Sequence, residues 1–427
     1  MTHAPHAKTL PADLSAPAFV NTWRARALMV AVLFSVTAVV LAIAEKSWDH
    51  FFRAWIVGLM LTFGFTCGGM ALLMVQHVSG GKWGLLLRRP LEAMSRCLPL
   101  VFAYWVVLAA MVKSLYQWAA FPTEELAKAA VVAGKLPEAA VHAIVWKAPM
   151  LNVQAFWGSG ILCFAIWGFY TWRLNSLSLQ RDADKQGNTP IWIKRMENLS
   201  GFGLVVYALT MTAMVIYWVM SLDVTWSSSV YGLLFLVGQG YQTLALSLIT
   251  VISLSKAEPF KTVLRTTEQH DLGKFTFAFV MLNIYLAFSQ FLIIWSGNQP
   301  EEIHWYMNRF NGGWAIIITL DFLFHWLIPF SLLLSRDIKR NKKRLIRVAQ
   351  WMIFAKAFDL FWLVEPNFND AARNLHFSLG ILEYIAVPVA MVSLWVAFYC
   401  TQLKSRPLVA TNDPHLAEIL EPEHAHA

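Results

Sequence analysis

The chain has 427 residues, of which 57% are hydrophobic and only 14% are charged, whereas a soluble domain has about 25% charged residues. This composition excludes a water-soluble globular enzyme and indicates an integral membrane protein. The formal net charge of +8 does not indicate a nucleic-acid partner, because an excess of Lys and Arg usually marks the cytoplasmic loops of membrane proteins.

Ten apolar stretches are each long enough to cross a bilayer as a helix, which takes about 20 residues. They lie at residues 27–44, 54–77, 93–112, 153–172, 200–221, 230–254, 272–295, 312–335, 345–364 and 377–400. The predicted fold is therefore an all-α polytopic membrane protein of about ten transmembrane helices. Its transmembrane domain is predicted to cover residues 27–400.

A faint internal repeat suggests how these helices are grouped. FTCGGMALL in the second span and GQGYQTLAL in the sixth both place small residues in the middle of a helix. Small residues let membrane helices approach closely. Spans 2–5 and 6–9 are therefore predicted to form two similar four-helix bundles, with spans 1 and 10 flanking them.

Lys and Arg are distributed unevenly between the two sides of the predicted membrane domain. The side with both chain ends carries about three times as many as the other, which predicts cytoplasmic termini. Residues 1–26 and the tail 401–427 are thus expected on the cytoplasmic side of a bacterial inner membrane. The tail after Pro407 is polar and acidic, and we expect it to be disordered.

The longest loop, residues 113–152, is predicted to be periplasmic. Within it, Thr123 precedes two glutamates and predicts the start of a short helix, which Gly134 ends. Such a loop is either a docking surface for a partner or a surface flap, and the sequence leaves both open.

Five ionisable side chains lie well inside the predicted spans, away from their cytoplasmic ends. Asp321 and His325 share one face of the eighth span, Lys356 and Asp359 share one face of the ninth, and Glu383 lies in the tenth. Ionisable groups inside a bilayer are costly and usually functional, so these five predict a proton pathway. At about 1.5 Å per residue, Asp321 and Lys356 reach the same depth near the midplane. The alternative interpretation is therefore an Asp321–Lys356 ion pair that holds two helices together.

The chain carries no sequence signature of a metal or redox cofactor. Its four cysteines are single, without a CxxC or CxxCH motif, and the other membrane histidines, His77 and His376, do not match His325 in predicted depth. A quinol is a candidate ligand, because Asp223, Glu365 and His376 lie near aromatic residues at the predicted outer surface. These three could equally serve as a proton exit, and the aromatic residues around them as interfacial anchors.

Long stretches of the chain resemble one known family. They are SLDVTWSSSVYG (221–232), IIWSGNQPEEIHWYMNR (293–309) and KAFDLFWLVEP (356–366), together with the Asp321/His325 pair. They resemble the F subunit of bacterial alternative complex III, a quinol:cytochrome c oxidoreductase, over roughly residues 20–405. That family is related to the membrane subunits of polysulfide reductase, which are built as two four-helix bundles with flanking helices.

The resemblance implies a subunit of a respiratory or photosynthetic electron-transport complex rather than an enzyme that works alone. The implied partners are a paralogous quinol-binding membrane subunit, an iron–sulfur protein, multi-haem c-type cytochromes, small membrane anchor subunits and membrane lipids. The c-type haems and iron–sulfur clusters are expected in those partners, with no redox centre in this chain. The implied role is proton translocation and complex assembly, through the five membrane-embedded residues named above.

Two other functions are open from the sequence. The chain could itself bind and oxidise quinol, which is the role of the paralogous subunit. It could also be a secondary transporter, since these proteins share internal repeats and midplane charges. Transporters usually break a helix at the binding site, however, and the prolines within spans, Pro329 and Pro388, do not adjoin Asp321.

Overall fold

The computed structural model describes residues 9–368 and 378–420 of the chain. Ten long helical segments make up its body, and we number them in chain order. They are α1 Phe19–Glu45, α2 Asp49–Ser79, α3 Trp83–Ser95 with Leu98–Ala110, α4 Val153–Ala183, α5 Thr189–Trp218, α6 Tyr231–Leu254, α7 Thr266–Gly297, α8 Trp314–Leu334, α9 Lys342–Val364 and α10 Glu383–Lys404.

Short helices connect several of these segments. They are Val112–Leu115, Gln117–Ala120, Glu124–Val132, Glu138–Lys147, Met220–Leu222, Phe260–Val263, Pro300–Phe310, Arg336–Arg340, Glu365–Phe368, Leu379–Leu382 and Leu416–Leu420. In the predicted periplasmic loop, Leu126 N donates to Thr123 Oγ1 at 3.4 Å, and Gly134 adopts a φ of +70° just after the first helix ends. The predicted helix start and stop are thus confirmed.

All ten predicted spans coincide with helices. Among the described residues, eight helices are long and apolar enough to cross a membrane, and α3 makes a ninth if its halves, bent by 41°, are counted as one. The tenth, α9, differs because any 18-residue stretch of it contains Arg347, Lys356 and Asp359. The chain is therefore an all-α, multi-pass membrane protein, in which one helix carries its charges into the bundle.

The helices pack as two bundles that meet along their central members. The first bundle consists of α2, α3, α4 and α5, and the second of α6, α7, α8 and α9. The most buried helices, α2 and α6, pack against each other, while α1 pairs with α10 on the far side of α2. The predicted pair of bundles with two flanking helices is confirmed.

The internal repeat marks the crossing of α2 and α6. Thr243 Oγ1 donates to the Gly64 carbonyl at 3.0 Å. A Cβ at Gly68 would lie 2.3 Å from Thr243 Oγ1 and 2.9 Å from the Gln239 carbonyl oxygen. The two bundles therefore meet at backbone-to-backbone distance, which only small residues allow.

Both described chain ends lie on one side of the bundle. Leu408 N donates to the Leu14 carbonyl at 2.8 Å, so we call this the terminal side and the opposite one the distal side. The expected disorder of the tail is wrong for residues 407–420, in which Val409 and Ile419 are buried and Asp413 pairs with Arg88. The apolar residues of the tail and this ion pair hold it against the bundle.

The middle of α8 is a π-helix, Phe322–Leu327, in which backbone bonds skip one residue more than in an α-helix. Ile328 N–H donates to the Leu323 carbonyl, so it is not available to the carbonyl of Phe324. Trp351 of α9 supplies a donor in its place: its Nε1 donates to the Phe324 carbonyl at 2.9 Å. The distortion is thus stabilised by a side chain from the neighbouring helix.

Pro329 deprives a second carbonyl of α8, that of His325, of its α-helical donor, because proline has no N–H. Tyr241 of α6 donates its hydroxyl to the His325 carbonyl at 3.0 Å. The irregular segment begins at the residue directly after Asp321, although Pro329 itself is eight positions away. The sequence argument that neither proline adjoins Asp321 therefore holds, but it did not foresee the π-helix that begins at the next residue without interrupting α8.

Candidate functional site

Four of the five predicted pathway residues meet in the second bundle. Asp321, His325 and Asp359 each offer one donor atom, and these atoms all lie within 4.8 Å of one another. Lys356 Nζ donates to Asp359 Oδ2 at 2.6 Å, and His325 Nδ1 lies 3.6 Å from Asp359 Oδ1. All four residues are at least 94% buried, with Asp359 the most exposed at 6%. We call these four residues the buried cluster.

The pairing within the buried cluster differs from the expected one. The alternative interpretation joined Asp321 to Lys356, but the ammonium pairs with Asp359 one turn along its own helix. At about 1.5 Å per residue, regular helices would also place His325 and Asp359 about 10 Å apart in depth, although the two are in contact. That estimate assumed straight, regular helices, and α8 is irregular at His325.

Lys356 reaches the buried cluster through a gap in α6. A Cβ at Gly238 would lie only 3.1 Å from Lys356 Nζ, so a larger residue would crowd the ammonium. The ammonium also lies 5.6 Å from the centre of the Phe235 ring, whose π face attracts a cation. The glycine of the GQG stretch therefore makes room for the charge.

A cavity of about 410 Å³ extends from the buried cluster. Its walls are mainly aromatic and aliphatic. Its polar groups are the buried cluster, Asn283, Gln290, Thr319 and the hydroxyls of Tyr231 and Tyr306. The remaining lining residues are Leu234, Phe235, Ile284, Ala287, Phe288, Phe291, Trp305, Phe310, Ile318, Phe322, Trp326, Trp362 and Leu363. An apolar volume with a few converging polar groups is the usual form of a small-molecule site.

The cavity reaches the outer surface of the bundle between α7 and α8. These helices pack together along Ile328–Leu334, towards the terminal side. Nearer the distal side, Phe288 of α7 and Phe322 of α8 line the cavity and are also 58% and 48% exposed. Because this surface faces lipid in a membrane-spanning bundle, the cavity has a lateral opening towards the bilayer.

The helix Pro300–Phe310 closes the cavity on the distal side. The Arg309 guanidinium is fully buried, lies 3.5 Å from the Trp305 ring centre, and donates to the Leu363 carbonyl at 3.2 Å and to Asn367 Oδ1 at 3.0 Å. Burial lowers the pKa of Arg309 to about 10. Sequence reasoning missed these residues, although they lie in a stretch that carries the family resemblance.

A short series of polar contacts runs from the cavity wall towards the distal side. Gln290 Nε2 donates to the Tyr306 hydroxyl at 3.3 Å, and Ser228 Oγ donates to Gln290 Oε1 at 3.3 Å. Burial raises the pKa of Tyr306 to about 12. Gln290 is a polar residue inside the predicted seventh span, whereas Ser228 and Tyr306 lie in stretches that carry the family resemblance but have no distinguishing signal of their own.

Asp223, a predicted outer-face residue, lies on the distal side next to His304. Its Oδ1 accepts from Thr225 Oγ1 at 2.6 Å, and its Oδ2 lies 3.3 Å from His304 Nε2. Burial acts to raise the pKa of Asp223, but the hydrogen bonds from His304 and Thr225 outweigh it and hold the pKa below its ordinary value. His376, the other predicted residue of this group, lies outside the described residues.

Glu365 and Glu383 belong to a different part of the distal side. Glu365 lies 3.3 Å from Arg53 of α2 and 3.8 Å from His50, and it accepts a hydrogen bond from Tyr384. Glu383 is fully buried on α10, which packs mainly on α1 and α2. The predicted five-residue pathway is thus not continuous, because Glu383 does not line the cavity with the other four.

The buried cluster contains donor atoms that suit a metal ion. Two carboxylates and an imidazole are ligands for several divalent transition metals. The Lys356 ammonium, however, already pairs with Asp359, and its positive charge disfavours a second cation at this carboxylate. The arrangement therefore fits a single mobile proton better than a divalent ion.

Fold and site together define a multi-pass integral membrane protein with a buried titratable cluster at the end of an intramembrane cavity. Neither the protein-family models nor the curated proteins searched include a match to the chain. The family resemblance drawn from the sequence therefore stays a proposal.

Proposed function

We propose that this chain is a proton-carrying membrane subunit of a quinol:cytochrome c oxidoreductase complex of the alternative complex III type, with the redox centres in its partners. The observation that carries the proposal is the convergence of Asp321, His325 and Asp359 within 4.8 Å in the interior of the bundle. Proton transfer needs donor and acceptor at hydrogen-bond distance or joined by one water, and these separations meet that condition.

The charges of the buried cluster support a proton as its cargo. Lys356 and Asp359 neutralise each other, so an ionised Asp321 would leave one uncompensated negative charge in a low-dielectric interior. Such a charge is costly, and binding one proton on Asp321 or His325 removes it. The buried cluster therefore favours a state with one exchangeable proton.

The route to the distal side is the cavity with its polar contacts at Gln290 and Tyr306. In the proposed orientation the terminal side is cytoplasmic and the distal side periplasmic, as the Lys and Arg distribution predicts. Quinol oxidation in the partner subunit would then change the electrostatic field at the buried cluster and drive release of its proton. The long distal loop offers a surface on which the extracytoplasmic subunits could dock.

Membership of the complex is tested by purification in mild detergent through a tag on the C-terminus. We expect c-type haem absorbance, iron–sulfur content and quinol:cytochrome c activity in the eluate. A colourless single polypeptide, obtained under conditions that keep other respiratory complexes intact, would contradict this assignment and favour a transporter.

Proton translocation is tested with the complex in liposomes, by measuring protons released per electron. Asp321→Asn should lower this ratio while quinol oxidation continues. The matched control is Asp271→Asn, an exposed carboxylate paired with Lys274 at 3.0 Å. A proton yield equal to that of the unmodified complex in Asp321→Asn would refute the role of the buried cluster.

The cavity favours a second candidate function, the binding of a quinol by this chain. Its volume of about 410 Å³ lies in the range of ligand sites, and its lateral opening would admit a lipid-soluble molecule. Asp321 and His325 would be the proton acceptors at its polar end. The residues first considered for this role, Asp223 and Glu365, do not line the cavity.

Quinol binding is tested by photoaffinity labelling with a quinone analogue. Labelling should fall on the α7 and α8 walls of the cavity, and Ile318→Trp, which fills the cavity without changing the buried cluster, should abolish it. Labelling confined to a partner subunit would reject this candidate and leave the proton-carrying function untouched.

A further inference from the structure

We infer that Arg96 and Arg406 bind the phosphate group of an anionic membrane lipid on the terminal side. The inference concerns a region away from the cavity and does not depend on the proposed proton function. It rests on the convergence of two guanidinium groups and on the charge of the network to which they belong.

The two guanidinium groups meet at one neutral oxygen. Arg96 Nη1 donates to Asn175 Oδ1 at 2.7 Å, and Arg406 Nη1 donates to the same atom at 2.8 Å. Arg96 also donates to Gln402 Oε1 at 3.0 Å and to the Gln402 carbonyl at 2.7 Å. In the described ranges no carboxylate lies within 4.0 Å of the Arg96 guanidinium, so two like charges share an amide that neutralises neither.

The surrounding network carries an excess of positive charge. Its members are joined by ion pairs or hydrogen bonds, and five are guanidinium groups while three are carboxylates. They are Arg88, Arg89, Arg96, Arg181 and Arg406, with Glu92, Asp182 and Asp413. Counted over the described part of the chain, the network has a net charge of +2, and Arg96 is the one member without a carboxylate partner, because Arg406 lies 3.6 Å from Glu92.

Burial makes this excess costly. Arg88, Arg89 and Arg181 are at most 4% exposed, so solvent screens the network poorly. Asp413 of the C-terminal segment already serves two of the arginines, with Oδ2 at 2.5 Å from Arg88 and 3.5 Å from Arg181. At the other end of the network Arg96 has no carboxylate, and Arg406 shares Glu92 with Arg89, which lies closer to it at 2.6 Å. The excess positive charge is therefore greatest at Arg96 and Arg406. An anion there would relieve it.

The position of the pair selects a lipid phosphate. Arg96 lies at the bend of α3 and hydrogen-bonds Gln402 in the last turn of α10, and Arg406 lies two residues after α10 ends. Both are therefore at the terminal-side end of α10, where head groups lie. The Arg406 side chain is 19% exposed. Trp172, one turn from Asn175 towards the bilayer on α4, is 63% exposed and offers apolar surface for an acyl chain. The planar forks of two arginines match the oxygens of a phosphate group.

The test uses the full chain, in its complex where one co-purifies, in nanodiscs of phosphatidylcholine with a small fraction of phosphatidylglycerol. Retained phosphatidylglycerol is counted by native mass spectrometry after transfer to detergent. The key variant is Asn175→Asp, which places a carboxylate between the two guanidinium groups and should displace the phosphate without loosening the network. Arg406→Gln removes one of the two donors.

The control variant is Arg195→Gln. Arg195 is an exposed arginine on the same side, stacked 5.0 Å from the Trp192 ring centre. Wild-type protein and this control should each retain one phosphatidylglycerol. Both site variants should weaken retention about ten-fold or more, the value of one lost charge-assisted bond. Equal retention in Asn175→Asp and wild type would overturn the inference. A second outcome would also overturn it. If no lipid is retained, but inorganic phosphate binds the delipidated protein and the two site variants weaken that binding, the arginines form an ion site only. Neither readout involves proton transfer, so failure here and failure of the proposed function are separable.

Discussion

Lys356 and Asp359 are one turn apart on α9, and the ammonium nitrogen lies 2.6 Å from Oδ2 of the carboxylate. Asp321, equally buried and less than 5 Å from this pair at its nearest donor atoms, is left without a cation of its own. The two aspartates therefore have different roles. Asp359 neutralises the lysine, and Asp321 can change protonation without breaking an ion pair.

This difference predicts unequal costs for two similar substitutions. Asp359→Asn leaves Lys356 as an unpaired buried charge and should destabilise the protein by about 3–5 kcal/mol. Asp321→Asn replaces a carboxyl that is neutral when protonated, and should cost about 1 kcal/mol or less. Because all four cysteines are buried, a thiol-reactive dye can follow thermal unfolding in detergent. An equal or larger loss for Asp321→Asn would contradict the assignment.

The hydroxyl of Tyr241 replaces the backbone donor that Pro329 lacks, which predicts that the two positions are coupled. Tyr241→Phe leaves the His325 carbonyl unpaired and should cost about 1–3 kcal/mol. Pro329→Ala supplies an N–H that can bond the same carbonyl, so Tyr241→Phe should cost less in that background. A double-mutant cycle by the same unfolding assay measures this coupling. Additive costs would show that the helix does not re-form the bond.

The sequence predicts the architecture well because its signals are local. Apolar length locates the helices, the small residues around Gly68 and Gly238 mark close approaches of α6, and Thr123 and Gly134 bracket a loop helix. These features need no knowledge of the partner helix. The tail was mispredicted because its average polarity hides Leu408, Val409 and Asp413, which the bundle holds individually.

The site was predictable only in part, since it depends on how helices face each other. Residue type and spacing found all four members of the buried cluster, but spacing alone could not choose between Asp321 and Asp359 as the partner of Lys356. Glu383 was grouped with them because it also lies inside a span, although α10 packs mainly on α1 and α2. The cavity exists because α7 and α8 separate towards the distal side and because the helix Pro300–Phe310 closes it there. Neither feature can be predicted from the spacing of residues in the sequence.

The crossing of α2 and α6 should be intolerant of added volume. Gly68→Ala would place a Cβ 2.9 Å from the Gln239 carbonyl oxygen, a backbone atom that cannot turn away. We expect a loss of about 1–3 kcal/mol in unfolding free energy, as for overpacked cores. Gly158→Ala on α4 is the control, because its Cβ would have nothing within 4 Å. The higher helix propensity of Ala should leave its unfolding free energy unchanged or raise it by about 0.5–1 kcal/mol. Equal effects would mean that helix propensity rather than the crossing is being measured.

The contact between Asp223 and His304 should make the distal side sensitive to acid. Because hydrogen bonds lower the pKa of Asp223 below its ordinary value of 3.8, the ionised carboxylate stabilises the folded state. That contribution is complete above about pH 4, and it is lost as the pH falls through the lowered pKa. Asp223→Asn should therefore cost about 1–3 kcal/mol near pH 7 and progressively less below pH 4.

The measurement is thermal unfolding of both proteins in detergent from pH 7 down to pH 3. The nearby cations Lys147 and Arg309 keep their charge throughout this range, so the difference between the two curves reports Asp223 and its partner His304. Glu301→Gln, which removes an exposed carboxylate from the same short helix as His304, should follow the wild-type curve at every pH. A difference between wild type and Asp223→Asn that grows on acidification would reverse the sign argued here. It would mean that the folded state binds the proton more tightly than the unfolded chain, so that burial outweighs the hydrogen bonds of His304 and Thr225.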